Sequence, residues 1–241
     1  MTSGHGQQAA RGTSIIPGKL SSPYSSKQIS IMKTVTLKIN PADPEPGGIE
    51  RAVSFLREGK IVAFPTDTVY GIGADVFDEK AVQQMFAVKK RDPDKPLQVL
   101  VSHRNDLQII SKNHSEMLDR LVSEFWPGPL TIVMKAKDEF PRQVRCGKDT
   151  IGVRMPANDL ALRLIRTFGR PVAATSANIS GFPDPLDAQD VRKYLDGKIH
   201  LILDGGPTPG SVPSTVLDIS TRPPVVLREG KLTIEELNRI L

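Results

Sequence analysis

The stretch AVKKRDPDKPLQVLV, residues 87–101, decides the fold. It closes a helical pattern, crosses two prolines and opens on an apolar run of strand length. The helix reads back through DEKAVQQMFAVKK (78–90), with Asp78 as its N-cap. LQVLV (97–101) is too short and too apolar for an exposed helix and reads as a buried strand. Helix, short loop, strand is the repeating unit of an α/β protein. The loop also carries Lys89, Lys90, Arg91 and Lys95 within seven positions. A lone cluster of this kind is usually solvated charge complementing a helix C-terminus. Here Pro93 and Pro96 restrict the backbone and hold like charges together, which is unfavourable unless a polyanion answers them.

The same alternation extends in both directions. IERAVSFLREG (49–59) predicts a helix stopped by Gly59, and IVAF (61–64) a short buried strand. A helical pattern spans 115–125. Strands follow at TIVMKA (131–136) and IGVRM (151–155), then a capped helix at NDLALRLIRTFG (158–169). PVAATS (171–176), HLIL (200–203), STVLDI (214–219) and PVVL (224–227) read as strands, and DAQDVRKYLDG (187–197) as a helix. TIEELNRIL (233–241) opens with a capping box, Thr233 and Glu236. The expectation is one α/β domain, a mixed sheet with helices on both faces, over residues 32–241. Residues 1–31, rich in Gly, Ser, Gln and Thr, read as a flexible leader or an added extension.

Charge and composition narrow the partners. The net charge of +5 resides in residues 1–38, which hold five cations and no Asp or Glu; the rest carries 27 cations against 27 anions. Basicity therefore says little about what the body binds. No apolar run approaches the length of a membrane span, so no membrane partner is expected. A single cysteine, Cys146, excludes an internal disulfide and suits a reducing cytoplasm.

Several chemistries lack their motifs. There is no Walker loop, no H-E-x-x-H, no paired cysteines and no G-x-S-x-G, and GIGADV (71–76) lacks the third glycine of a dinucleotide fingerprint. The histidines at 5, 103, 114 and 200 do not cluster, so no metal site is expected, and Cys146 reads as a structural thiol. What the chain does carry is polar residues at strand ends, where open α/β sheets bind ligands. PTDTVYG (65–71) follows a strand. ATSANISG (174–181) packs Thr175, Ser176, Asn178 and Ser180 into six positions, more than one cap or Asx-turn requires. GSVPSTVLDI (210–219) brings Ser211, Ser214 and Thr215 to a strand start, and Arg228 ends another strand. Arg154 lies within an apolar strand and needs a partner, either an internal carboxylate or one on a substrate.

Taken in order, FPTDTVYGIGA, KKRDPDKPL, FWPGPLTIV, TIGVRMP, ATSANISG, LDGGPTPGSVPSTVLDI and PPVVLREG resemble the YrdC-like threonylcarbamoyl-AMP synthases across roughly residues 48–241. The resemblance implies a twisted α/β sheet with a concave basic groove. It implies ATP, L-threonine and bicarbonate as substrates, Mg²⁺ accompanying ATP, and a downstream tRNA threonylcarbamoyl transferase machinery as partner. It places Lys89, Arg91, Lys95, Thr150, Ser176, Asn178 and Arg228 at the nucleotide, with Lys89 and Arg91 acting on the phosphates. It places Thr68, Arg154, Ser214 and the backbone near Ala174 at threonine.

Two positions depart from the family's pattern. Leu100 stands where relatives often carry histidine, and Asp184 where many have Ser or Thr. The chain resembles the short form of the family, without the extra C-terminal domain. Two alternatives remain open: a carbamoyl-adenylate-forming enzyme, and a non-catalytic paralogue that binds RNA weakly through phosphate contacts. A neutral body with 5% aromatic residues weighs against the second.

Overall fold

Ten strands in one sheet organise the described residues. A computed structural model describes residues 32–112, 115–210 and 212–241; the leader, His114 and Ser211 lie outside the described residues. The strands are β1 (Val35–Lys38), β2 (Val62–Phe64), β3 (Gly71–Asp75), β4 (Gln98–Leu100), β5 (Leu130–Lys135), β6 (Thr150–Arg154), β7 (Val172–Ser176), β8 (Leu201–Asp204), β9 (Thr215–Asp218) and β10 (Val225–Arg228). The helices are α1 (Pro46–Arg57), α2 (Glu79–Lys89), α3 (Leu107–Ile110), α4 (Glu116–Phe125), α5 (Asp159–Phe168), α6 (Ala188–Leu195) and α7 (Ile234–Asn238). The strand order is β1-β8-β2-β3-β7-β4-β6-β5-β9-β10. Four pairs are parallel (β1 with β8, β2 with β8, β4 with β6, β5 with β9) and the other five antiparallel, so the sheet is mixed.

The helix ends follow the side chains the sequence offers. Asp78 accepts from the backbone N–H groups of Lys80 and Ala81 at the start of α2, and Asn158 from Ala161 at the start of α5. Gly169 closes α5 in the left-handed conformation, and Thr233 with Glu236 forms the capping box of α7. Among the described residues no helix is long and apolar enough to cross a membrane.

Two strands and a short helix escape the sequence reading: β1, β3 and α3. The miss at β3 is instructive, because GIGAD looks like a loop. The glycine is needed by the packing: a Cβ on Gly73 would stand 2.6 Å from Val172 Cγ1 and 2.8 Å from Phe64 Cε1. The chain is extended there because Gly73 lets neighbouring side chains close over it.

Successive residues along each strand enter opposite faces of the sheet. Ala63, Ile72, Val99, Ile151, Val153, Ala173 and Leu217 join the core beneath α2, α3, α4, α6 and α7. Val62, Phe64, Leu100, Val172, Ala174, Leu201 and Leu203 join a second core beneath α1 and α5. No buried residue of β5, β6, β9 or β10 belongs to that second core. One half of the sheet is thus covered on both faces and the other half on one face only.

Candidate functional site

The uncovered half-face is a cavity of about 500 Å³, within the range of small-molecule sites. Its floor is written on alternate strand positions: Thr131 and Val133 of β5, Thr150, Gly152 and Arg154 of β6, Ala174 and Ser176 of β7, and Val216 and Asp218 of β9. Their sequence neighbours Ile132, Ile151, Val153, Ala173 and Leu217 point into the opposite core. Loops complete the walls with Thr68, Arg91, Lys148, Asp184, Ser214 and Arg228.

Eight of the eleven residues singled out in the sequence therefore line one cavity: Thr68, Arg91, Thr150, Arg154, Ala174, Ser176, Ser214 and Arg228. Lys89, Lys95 and Asn178 are not among its lining residues. Lys95 is exposed, and its carbonyl accepts from Arg91 Nε at 2.8 Å. Lys89 is 2% exposed and its ammonium is directed inward. It donates to Ser176 O at 2.5 Å, Asn178 Oδ1 at 2.7 Å and Asn178 O at 2.9 Å. Burial, and then Arg91, pull this ammonium from 10.5 down to about 7, with Asp184 opposing. Asn178 also accepts from Ser176 Oγ and donates to Asp184 Oδ1 and Phe182 O. Lys89 and Asn178 thus form a buried knot under the 176–184 loop, whose upper side presents Ser176 and Asp184 to the cavity.

Arg154 finds the internal partner that the sequence left open. Its Nη2 donates to Asp67 Oδ1 at 2.5 Å, its Nη1 to Thr68 Oγ1 at 3.2 Å and its Nε to Gly128 O at 2.9 Å. The pair is buried on both sides, and Asp67 also accepts from the Ala157 N–H. Burial pulls the guanidinium pKa down while Asp67 pulls it up. Asp67 Oδ2 is buried without a partner.

Opposite, a polar chain crosses the floor: Thr131 Oγ1 meets Gln98 Oε1 at 3.3 Å and Ser214 Oγ at 2.9 Å. Arg228 donates through Nη2 and Nε to Ser214 O at 2.8 and 3.1 Å. Burial pulls Arg228 and Arg91 down from their ordinary range, but a guanidinium starts so high that both stay charged. Arg91 is half-buried and donates to the carbonyls of Lys95 and Pro96, so it staples its own loop as well as facing the cavity.

The sequence reading passed over Gln98, Thr131, Lys148 and Asp218. Gln98, Thr131 and Asp218 are isolated polar residues within apolar strands, and that interruption was the available signal. Of the two departures noted above, Leu100 is 1% exposed in the core beneath α5 and does not line the cavity, whereas Asp184 does. Among the described residues no three His, Cys, Asp or Glu side chains gather as a metal-binding group.

Known proteins share this fold. A relative from Pyrococcus abyssi named threonylcarbamoyl-AMP synthase is 47% identical over 193 residues, covering 80% of this chain and 57% of its own length. The crystal structure of P. abyssi Sua5 complexed with L-threonine superposes with a TM-score of 0.84 at 44% identity, covering 86% of this chain and 61% of that one. The crystal structure of E. coli YciO gives a TM-score of 0.79 at 27% identity and is covered over 99% of its length. The chain thus spans about three fifths of the first two proteins and nearly all of the third. The sequence model described as Telomere recombination (Sua5_yciO_yrdC) matches residues 54–230. On sequence and fold alike, the chain belongs to the Sua5/YciO/YrdC family.

Proposed function

We propose that this chain makes L-threonylcarbamoyl-AMP and pyrophosphate from L-threonine, bicarbonate and ATP. The observation that carries the reading is the single cavity in which Arg91, Arg228, Thr150 and Ser176 meet Thr68, Arg154, Ala174 and Ser214. Similarity to a structure solved with L-threonine supports the amino-acid half.

In this scheme the threonine amine attacks the carbon of bicarbonate, water leaves, and a carbamate oxygen then attacks the α-phosphorus of ATP. The bond from that phosphorus to the β-phosphate bridge breaks and pyrophosphate departs. Such a transfer depends on placement and charge stabilisation. Arg91 and Arg228 supply fixed cations, Thr150 and Ser176 supply hydroxyls, and Lys95 stands at the exposed edge of the loop. Lys89 and Asn178 hold the 176–184 loop in shape. The threonine carboxylate meets the N–H groups of Arg154 left over from Asp67 and Thr68, beside Ser214 and the Ala174 backbone.

Mg²⁺ accompanies ATP, and the donor set suits an ion carried by the nucleotide, since Asp184 and Asp218 line the cavity and no three acidic, thiol or imidazole side chains gather among the described residues. When bound, the ion neutralises charge on the phosphates. The product is a reactive mixed anhydride, which a tRNA-modifying transferase would consume.

The test is pyrophosphate release from ATP, Mg²⁺ and bicarbonate with and without L-threonine, with L-serine as control. Threonine-dependent release is expected. Its absence from folded protein would reject the synthase reading and favour carbamoyl phosphate or RNA as ligand. Arg91→Ala is expected to lower turnover by about 10²-fold or more, because a preorganised cation at the leaving group is lost. The unfolding free energy should fall by only about 1 kcal/mol, since the freed carbonyls lie near solvent. Turnover within threefold of wild type would remove Arg91 from the phosphate site.

A further inference from the structure

Among the described residues only Lys90 and Cys146, other than glycines, take left-handed backbone, at φ 51° and 52°. Each costs about 1–2 kcal/mol relative to ordinary backbone. Each also stands just ahead of a cavity-lining cation: Lys90 before Arg91, and Cys146 with Gly147 before Lys148. The two turns belong to separate loops stitched together by Leu97 N–H donating to Val144 O at 2.9 Å. Burial pushes the Cys146 thiol up; the charges of Arg91 and Lys148 oppose that shift, and those of Asp94 and Asp92 add to it.

Lys148 is more firmly held than an ordinary surface lysine. Arg145 is 4% exposed, and its Nη1 donates to Lys148 O at 2.7 Å. The Lys148 N–H donates back to Arg145 O at 3.0 Å, and Gly147 N–H to Arg142 O at 2.9 Å. Arg145 Nη2 reaches Asp138 O at 3.3 Å, and its Nε is buried without a partner. A buried guanidinium satisfied only by carbonyls is an unfavourable device. What it fixes is the backbone beneath one exposed ammonium, which no ion pair engages among the described residues.

We propose that Lys148 is a further polyphosphate-binding cation beside Arg91 and Arg228, delivered to the cavity from a loop separate from that of Arg91, and that Arg145 is its positioning residue. This rests on the placement of a triphosphate in the cavity. Cations held on two separate loops that are tied to each other can bracket a chain of phosphates and meet the charge that develops on departing pyrophosphate, without moving during the reaction.

The probe is inorganic tripolyphosphate titrated calorimetrically into the full chain. Lys148→Ala is expected to weaken binding about tenfold, the worth of one charge-assisted contact. Lys148→Glu should weaken it further, Lys148→Arg should retain it, and L-threonine affinity should not change in any of the three. Arg145→Lys, which keeps the charge but loses the fork, should weaken tripolyphosphate binding and speed hydrogen exchange at the Lys148 amide. Wild-type affinity in Lys148→Glu, or no tripolyphosphate binding by the wild type, would overturn the proposal. Threonine-dependent pyrophosphate release, measured in parallel, separates the two ideas. Lys148-dependent binding without release keeps this site and removes the synthase reading; release with Lys148-indifferent binding does the reverse.

Discussion

Arg154→Leu is expected to destabilise the fold by about 3–5 kcal/mol, because it strands a buried carboxylate. Arg154 and Asp67 are both nearly inaccessible, at 3% and 9% side-chain exposure, and Asp67 Oδ2 already lacks a partner. Removing the guanidinium leaves Asp67 with only the Ala157 N–H. The double variant Asp67→Asn/Arg154→Leu should recover more than half of the loss, because the neutral amide can still accept from Ala157. Denaturant unfolding of the three proteins measures this, and an unchanged midpoint in the single variant would mean that the pair contributes little. The folded double variant then separates structure from chemistry. It should show a threonine KM raised by an order of magnitude or no turnover, and wild-type threonine dependence would remove Arg154 from the carboxylate site.

Lys89→Met has a different signature. Methionine matches the length and apolar stem but removes the ammonium that donates to Ser176 O, Asn178 O and Asn178 Oδ1, the last of which keeps Ser176 Oγ as donor. Relief from burying a charge opposes the loss of three contacts, so the expected stability change is modest, about 1–3 kcal/mol. The larger effect is on turnover. Ser176 and Asp184 sit on the loop that this knot holds, and misplacing reacting groups by about 1 Å can cost about 10²-fold in rate. A fall in kcat of that size with a small shift in melting temperature supports positioning from beneath. A raised ATP KM at unchanged kcat would instead mean that Lys89 contacts the nucleotide directly.

The contrast between these two lysine and arginine sites shows how far the sequence could be read. KKRDPDKP marked a basic loop between helix and strand, and Arg91 does reach the cavity. Adjacency in sequence could not show that Lys89, on the last turn of α2, turns inward toward residues 176 and 178. Arg154 posed a sharper problem, since its partner lies 87 residues upstream and an internal acid and a substrate acid looked alike. The alternation of helices and strands was readable because apolar spacing differs between them. β3 was not, because its Gly73 answers to Phe64 and Val172 on other strands. Nor did any local pattern show that α1 and α5 cover only half a face, which makes Gln98, Thr131 and Asp218 cavity residues.

That half-covered face has a consequence for how such a protein can change. Along β5, β6 and β9, one residue faces the cavity and the next faces the interior, so two requirements are interleaved on the same few peptides. Point substitutions on the cavity-facing set, such as Val133 or Val216, can alter what fits without disturbing the opposite layer. Inserting or deleting one residue in these strands would exchange the two sets together, placing Arg154 among hydrocarbon and Val153 in the cavity. Divergence in this architecture should therefore proceed by replacement within the strands, with changes of length confined to the loops.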